Sequence, residues 1–213
     1  MTALLEEINR NRRANIFTVE DPIEYLYEDK KSLIHQREVG HDTNSFATAL
    51  HSVMRQTPDV IAIGELRDKE TIEVALSASE TGHLVITTLH TPSAANTLDR
   101  IVNYFPNYLK EQICQQLSSS LLCITSQRLL PHASGKGRIP AVEILINSPT
   151  VRKHLEEGHT QDLYATMRDG AHFGMNTINQ ALVALYEAKA ISFDDALRSA
   201  GNVAELRQIL RQQ

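Results

Sequence analysis

Apolar positions along this chain alternate between two spacings. Leu4, Leu5 and Ile8 recur among acids and amides at helical intervals and predict a first helix ending near Arg13. Ile16-Phe17-Thr18-Val19 is instead a nearly continuous apolar run, the signature of a buried strand. Glu20-Asp21-Pro22 follows it, and the proline forbids further ladder pairing. Residues 32–39 read as a second, more polar strand. Phe46, Leu50, Val53 and Met54 fall on one helix face, with Thr43 or Asn44 as cap and Pro58 as stop. Val60 to Ile63 is the next strand. Asp68 caps a helix over 69–80, and Gly82 supplies its left-handed end. The β-branched run 84–89 then leads into His90.

Beyond His90 the pattern predicts helices over 93–104 and 107–119. Runs 121–130 and 139–146 read as paired strands around Ser134-Gly135-Lys136-Gly137, a hairpin turn by composition. From Pro149 onward every segment reads helical: 149–157, 160–168, 176–189, 192–199 and 203–211. Strand–helix alternation to about residue 147 implies an α/β sheet of mainly parallel strands. The expected division is a core over 1–147 and a C-terminal helical subdomain over 148–213. No internal repeat or low-complexity segment interrupts it.

Composition narrows the function. A formal charge of −5 leaves no basic excess to neutralise phosphates, which argues against a nucleic-acid binder. The one basic run, Asn9-Arg10-Asn11-Arg12-Arg13, suits the C-terminal end of a helix. Cys114 and Cys123 are too few for a disulfide framework or a four-ligand zinc site, so no zinc is expected. Their apolar or helical surroundings predict buried thiols in a reducing compartment. No apolar run is long enough to span a bilayer. A cytoplasmic protein is expected.

Candidate chemistry gathers at strand ends. Glu20 and Asp21 follow the first strand, Gly64 and Glu65 the third, and His83 and His90 flank the fourth. Ligand sites of parallel α/β sheets lie at the carboxyl ends of strands. Carboxylates placed there can hold Mg²⁺ through water and orient an attacking water. Structural readings stand beside this one. Glu20-Asp21-Pro22 also fits a simple turn, and Thr81-Gly82-His83 a helix stop whose histidine bonds a carbonyl. Arg67 and Asp68 fit either a local ion pair or a brace behind Glu65. Ser134-Gly135-Lys136-Gly137 is no phosphate loop, because Gly-Lys is followed there by Gly137-Arg138 and a strand. No Gly-x-x-x-x-Gly-Lys-Ser/Thr stretch occurs in the 213 residues.

Together these segments resemble the secretion ATPase superfamily of type II secretion and type IV pili. Thr18-Val19-Glu20-Asp21-Pro22-Ile23-Glu24-Tyr25 resembles its aspartate box. The run from Pro58 through Gly64-Glu65-Leu66-Arg67-Asp68 resembles its atypical Walker B segment. Thr81-Gly82-His83-Leu84 through Thr88-Leu89-His90-Thr91 resembles its histidine box. Ser126-Gln127-Arg128-Leu129 runs straight to Pro131 without a four-cysteine insertion, as in the pilus retraction ATPases PilT and PilU. Gln36-Arg37-Glu38-Val39-Gly40 and the tail around 185–198 look closer to PilU.

The resemblance implies a RecA-like P-loop NTPase core with a helical subdomain, working as a homo-hexamer on ATP and Mg²⁺. It implies Glu65 and Glu20 as catalytic acids, both close to Mg²⁺ through water. Glu20, Asp21, His83, His90 and Arg100 would face the nucleotide, and which histidine meets phosphate stays open. A paralogous retraction ATPase and an inner-membrane pilus platform protein are the implied partners, with a location at the cytoplasmic side of that membrane. The Walker A loop and the domain before it have no counterpart in these residues. The expectation is therefore very weak ATP binding by this chain alone, and sheet edges left exposed. A non-catalytic truncated subunit or assembly module, and a pilus-assembly or type II secretion ATPase, are the alternatives.

Overall fold

Why the first and third strands lack alternation is plain from their pairing. The computed structural model, which describes residues 1–211, has a sheet of four parallel strands in the order β2–β1–β3–β4. These are β1 at Asn15–Glu20, β2 at Leu33–Glu38, β3 at Val60–Ile63 and β4 at Leu84–Thr87. The two central strands are covered on both faces, so Ile16, Val19, Ile61 and Ile63 are fully buried. Each such side chain contributes about 1.5–3 kcal/mol. The edge strands are half-exposed, which explains the polar sequence of β2.

Helices cover this sheet. Helix α1 (Thr2–Asn11) sets Leu5 against Ile16, Val60 and Ala62. Helix α2 (Phe46–Val53) buries Phe46, Leu50 and Val53, as their spacing predicts. Its cap is Ser45, whose Oγ accepts from the Thr48 N–H at 3.1 Å. Thr43 is used elsewhere: it bridges Val39, and its carbonyl accepts from Gly40 at 2.8 Å. Helix α3 (Lys69–Glu80) has the expected cap, with Asp68 accepting from the Thr71 N–H at 2.8 Å. It ends through Gly82 at φ +96°.

The chain from Thr91 builds differently. Helices α4 (Ala94–Asn103) and α5 (Asn107–Ser120) precede an antiparallel hairpin of β5 (Cys123–Pro131) and β6 (Arg138–Ile146). Gly135 and Gly137 both have positive φ in its turn, as the sequence predicts. Helices α6 (Pro149–Glu156), α7 (Leu163–Asp169), α8 (Ile178–Glu187), α9 (Phe193–Arg198) and α10 (Val203–Arg211) follow. The expected helix over 160–168 is two pieces, a 3-10 turn at Thr160–Asp162 and then α7. Cys114 is buried, and desolvation raises its thiol pKa. Cys123, expected to be buried, is exposed at the start of β5.

Two compact units result. Met1–His90 with Tyr104–Pro106 form one, and Thr91–Asn103 with the chain from Asn107 form the other. This division does not coincide with the expected boundary at 147. Leu130 and Ala141 of the hairpin share a core with Ile178, Leu182 and Leu206, so the hairpin groups with the helices after it. The last two residues of the expected helical subdomain lie outside the described residues.

Candidate functional site

In a parallel sheet, whatever follows one strand meets whatever follows its neighbour. Val19 pairs with Ile63 and Ile63 with Thr87, so the segments after β1, β3 and β4 emerge together. Gly64 sets how closely. Its N–H donates to the Val19 carbonyl at 2.7 Å. A Cβ on residue 64 would stand 3.3 Å from that oxygen and 3.4 Å from Glu20 Cα. A glycine fits this approach without forcing the neighbours to give. On the other side, the Thr88 hydroxyl donates to the Gly64 carbonyl, and the Leu66 N–H donates to the Thr88 carbonyl at 3.1 Å. The β3–β4 ladder thus continues past Thr87 and carries Glu65 towards His90.

Glu20 ends β1 and is only 8% exposed. Its Oε1 accepts from the Thr18 hydroxyl at 2.6 Å and from Gln36 Nε2 at 3.1 Å. Two donors on one carboxylate oxygen fix its direction. Arg67 binds the two neighbouring acids: Nη1 donates to Asp21 Oδ2 at 2.7 Å, and Nη2 pairs with Glu65 Oε1. The hydrogen bond to Glu65, then the charges of Glu65 and Asp21, raise the Arg67 pKa further above its already high value. The other Glu65 oxygen lies 3.6 Å from His90 Nε2. One continuous polar row therefore runs Asp21–Arg67–Glu65–His90, with Glu20 beside it on β1.

This geometry decides the ambiguous pair. Asp68 caps α3 while Arg67 braces Glu65 and Asp21, so the two side chains serve different ends. It also corrects His83. That residue precedes β4 and so stands at the amino end of the sheet, opposite Glu65 and His90. Its Nδ1 lies 2.9 Å from the Ala78 carbonyl and 3.1 Å from the Thr81 hydroxyl, closing the end of α3. Arg100 sits exposed in the last turn of α4, within the second unit. Sequence reasoning missed Thr18 and Gln36. Thr18 was findable, being two residues before Glu20 and so on the same strand face. Gln36 was not, because its position opposite Thr18 depends on the pairing of β1 with β2.

The parallel sheet and its covering helices give the chain an α/β fold of the RecA-like type, and ligand sites of such sheets lie at the carboxyl edge that carries these acids, arginine and histidine. The chain belongs to the Type II/IV secretion system protein family, which it matches over residues 1–212. It is 46% identical over 202 residues to a twitching motility protein of Neisseria gonorrhoeae, covering 95% of this chain and 54% of that protein. It is 39% identical over 211 residues to the type IV pilus ATPase PilU of Pseudomonas aeruginosa, covering 99% and 55%. These identities do not single out PilU. The crystal structure of the pilus retraction motor PilT with bound ADP superposes with a TM-score of 0.90 at 45% identity, over 97% of this chain and 58% of that one. The chain thus spans about half the length of the relatives it matches.

Proposed function

We propose that the edge formed by Glu20, Asp21, Glu65 and His90 is the magnesium-and-water side of an ATP site, in an ATP-driven motor of the pilus retraction class. The observation that carries this reading is the Glu65 carboxylate, held by Arg67 and facing His90 at the carboxyl edge of a parallel sheet. The donor set fits a hard cation. It consists of carboxylate oxygens, and both described hydrogen bonds to Glu20 fall on Oε1, leaving Oε2 to face a hydrated ion. Bound Mg²⁺ would neutralise charge on the β- and γ-phosphates. Glu65 orients the attacking water and takes its proton. His90, 3.6 Å away, answers to the state of the terminal phosphate. Arg67 positions Glu65 and touches no substrate. Arg100 keeps the nucleotide-facing role that its family position implies. His83 has a structural place at the opposite edge and no part here.

The same reading makes the working form a homo-hexameric ring on the cytoplasmic side of the inner membrane. A pilus platform protein and a paralogous retraction ATPase would be its partners. No helix among the described residues is long and apolar enough to cross a membrane.

A chimera tests the site. This chain replaces the matching part of the gonococcal twitching motility protein, and ATP hydrolysis is measured. The parent chimera should turn over, and Glu65→Gln should lower kcat by at least about 10²-fold while nucleotide still binds. Unchanged kcat in Glu65→Gln removes Glu65 from its role. A chimera that assembles and binds ATP but never hydrolyses it favours the non-catalytic module instead.

A further inference from the structure

A second cluster of ligating side chains lies in the other unit, at the end of α6. Leu155 is fully buried and anchors the last turn. Gly158 then reverses the chain at φ +72°, with its N–H donating to the Leu155 carbonyl at 3.1 Å. The next N–H, of His159, donates to the His154 carbonyl at 2.8 Å. This folds His159 back over the turn that carries His154. The 3-10 turn that follows brings Asp162 in, its N–H donating to the His159 carbonyl at 3.3 Å. His154, His159 and Asp162 each offer one ligand atom, and these atoms all lie within 4.8 Å of one another.

Two further observations point to a cation. Nδ1 of His154 is buried and has no hydrogen-bond partner among the described residues. A buried imidazole nitrogen in that condition calls for an explanation, and an ion supplies one. The second concerns the outer shell. Glu157 Oε2 stands 3.3 Å from His159 Nδ1. A carboxylate on one ring nitrogen fixes the tautomer and leaves Nε2 as the ligand, the usual carboxylate–histidine–metal arrangement.

We propose that His154, His159 and Asp162 bind a borderline divalent transition ion of the Zn²⁺ type, with Glu157 positioning His159. Two imidazoles and one carboxylate suit Zn²⁺ better than Mg²⁺ or Ca²⁺, which prefer oxygen alone. The remaining coordination position is left to water or an incoming donor. The ion would tie the end of α6 to the 3-10 turn, which hold the ligands His154 and Asp162. It is separate from the Mg²⁺ proposed at the sheet edge, which would use residues of the other unit.

Titration of Zn²⁺ into the untagged, chelator-stripped full chain, read by calorimetry, tests this. One equivalent should bind to the unmodified chain. His159→Ala and Asp162→Ala each change an exposed residue, so folding, checked by circular dichroism, should be unaffected. Each should weaken the site by more than tenfold, and Glu157→Gln by about tenfold. His172→Ala, an exposed histidine outside the cluster, should leave the affinity unchanged. Equal Zn²⁺ affinity in the chain and in both ligand variants overturns the proposal. So does a loss in His172→Ala as large as in His159→Ala.

Discussion

Arg67 is an exposed residue whose proposed part in the chemistry is larger than its part in stability. Its side chain is 52% exposed, and its partner Asp21 is 36% exposed. Pairs this open to water contribute little to stability, because solvent screens them. Its effect is geometric: the guanidinium fork fixes where the Glu65 carboxylate points. In the chimera, Arg67→Ala should leave the urea midpoint nearly unchanged. It should lower kcat by about 10²-fold, the usual consequence of displacing a catalytic group by an ångström. Arg67→Lys should recover little, because an ammonium cannot span two carboxylates as a fork does. Steady-state kinetics beside urea titration checks both, and a stability loss as large as the kinetic one would make Arg67 merely structural. Much of this site was legible in the sequence, since Glu20, Glu65 and His90 each follow an apolar run. For His83 the local reading, a helix stop whose histidine bonds a carbonyl, matches the geometry, whereas the nucleotide-facing role implied by the family resemblance has no support from its place before β4. The Arg67–Asp21 pair spans 46 residues and was invisible for want of pairing information.

At the scale of elements, Glu143 carries more than its sequence suggests. It lies on β6, only 2% exposed. Its Oε1 accepts from the Ala94 N–H at 2.7 Å and its Oε2 from the Ile178 N–H at 3.3 Å. Those two groups open α4 and α8, so one buried carboxylate serves two helix N-termini, where negative charge is favoured. Glu143→Leu removes both acceptors and strands two buried N–H groups. It should cost about 3 kcal/mol, whereas Glu143→Gln keeps one acceptor and should cost about half as much. Urea midpoints of the two variants and the unmodified chain measure this: equal midpoints for Leu and Gln would mean that the acceptor kept by Gln contributes nothing, and a Gln midpoint equal to that of the unmodified chain would mean that the charge contributes nothing. Local signals predicted these elements well: Asp68 as cap, Gly82 as stop, and the glycine turn between β5 and β6. What they could not convey was partnership. Alternating apolar residues say that Leu130 and Ala141 are buried, but not that they share a core with α8. The break between 160–162 and α7 was likewise hidden, because Thr160 to Arg168 contains neither glycine nor proline.

For the whole molecule, stability against pH has two limbs with different physical origins. Two carboxylates contribute to the acid limb: Asp169, held below its ordinary value by the hydrogen bond from Arg168, and Glu6, whose carboxylate pairs with Lys30 and with Arg10 Nε at 2.6 Å. The hydrogen bond from Lys30 is the largest cause, and the pKa falls from 4.5 to about 2. A depressed carboxyl stabilises the fold above its unfolded value, so this contribution is complete above pH 4.5 and lost as pH falls towards 2. The alkaline limb comes from Tyr164, whose hydroxyl donates to Glu205. Burial first, then that bond, pushes its pKa from 10 up to about 12. A raised phenol stabilises the fold below its unfolded value, so this contribution is complete below pH 10 and lost as pH rises towards 12. Tyr27 and Cys114, both raised by burial, add to the same limb. Thermal midpoints across pH should therefore form a plateau with two shoulders. Glu6→Gln should flatten part of the lower shoulder alone, and Tyr164→Phe should flatten part of the upper one. Salt separates the two causes. At 1 M the screening length shrinks to about 3 Å, so the exposed Glu6 pairs weaken while the desolvation of Tyr164 persists. The acid shoulder should then move towards the Glu6→Gln curve and the alkaline one should stay. An acid shoulder unmoved by salt would mean that Glu6 is held by something other than its two cations.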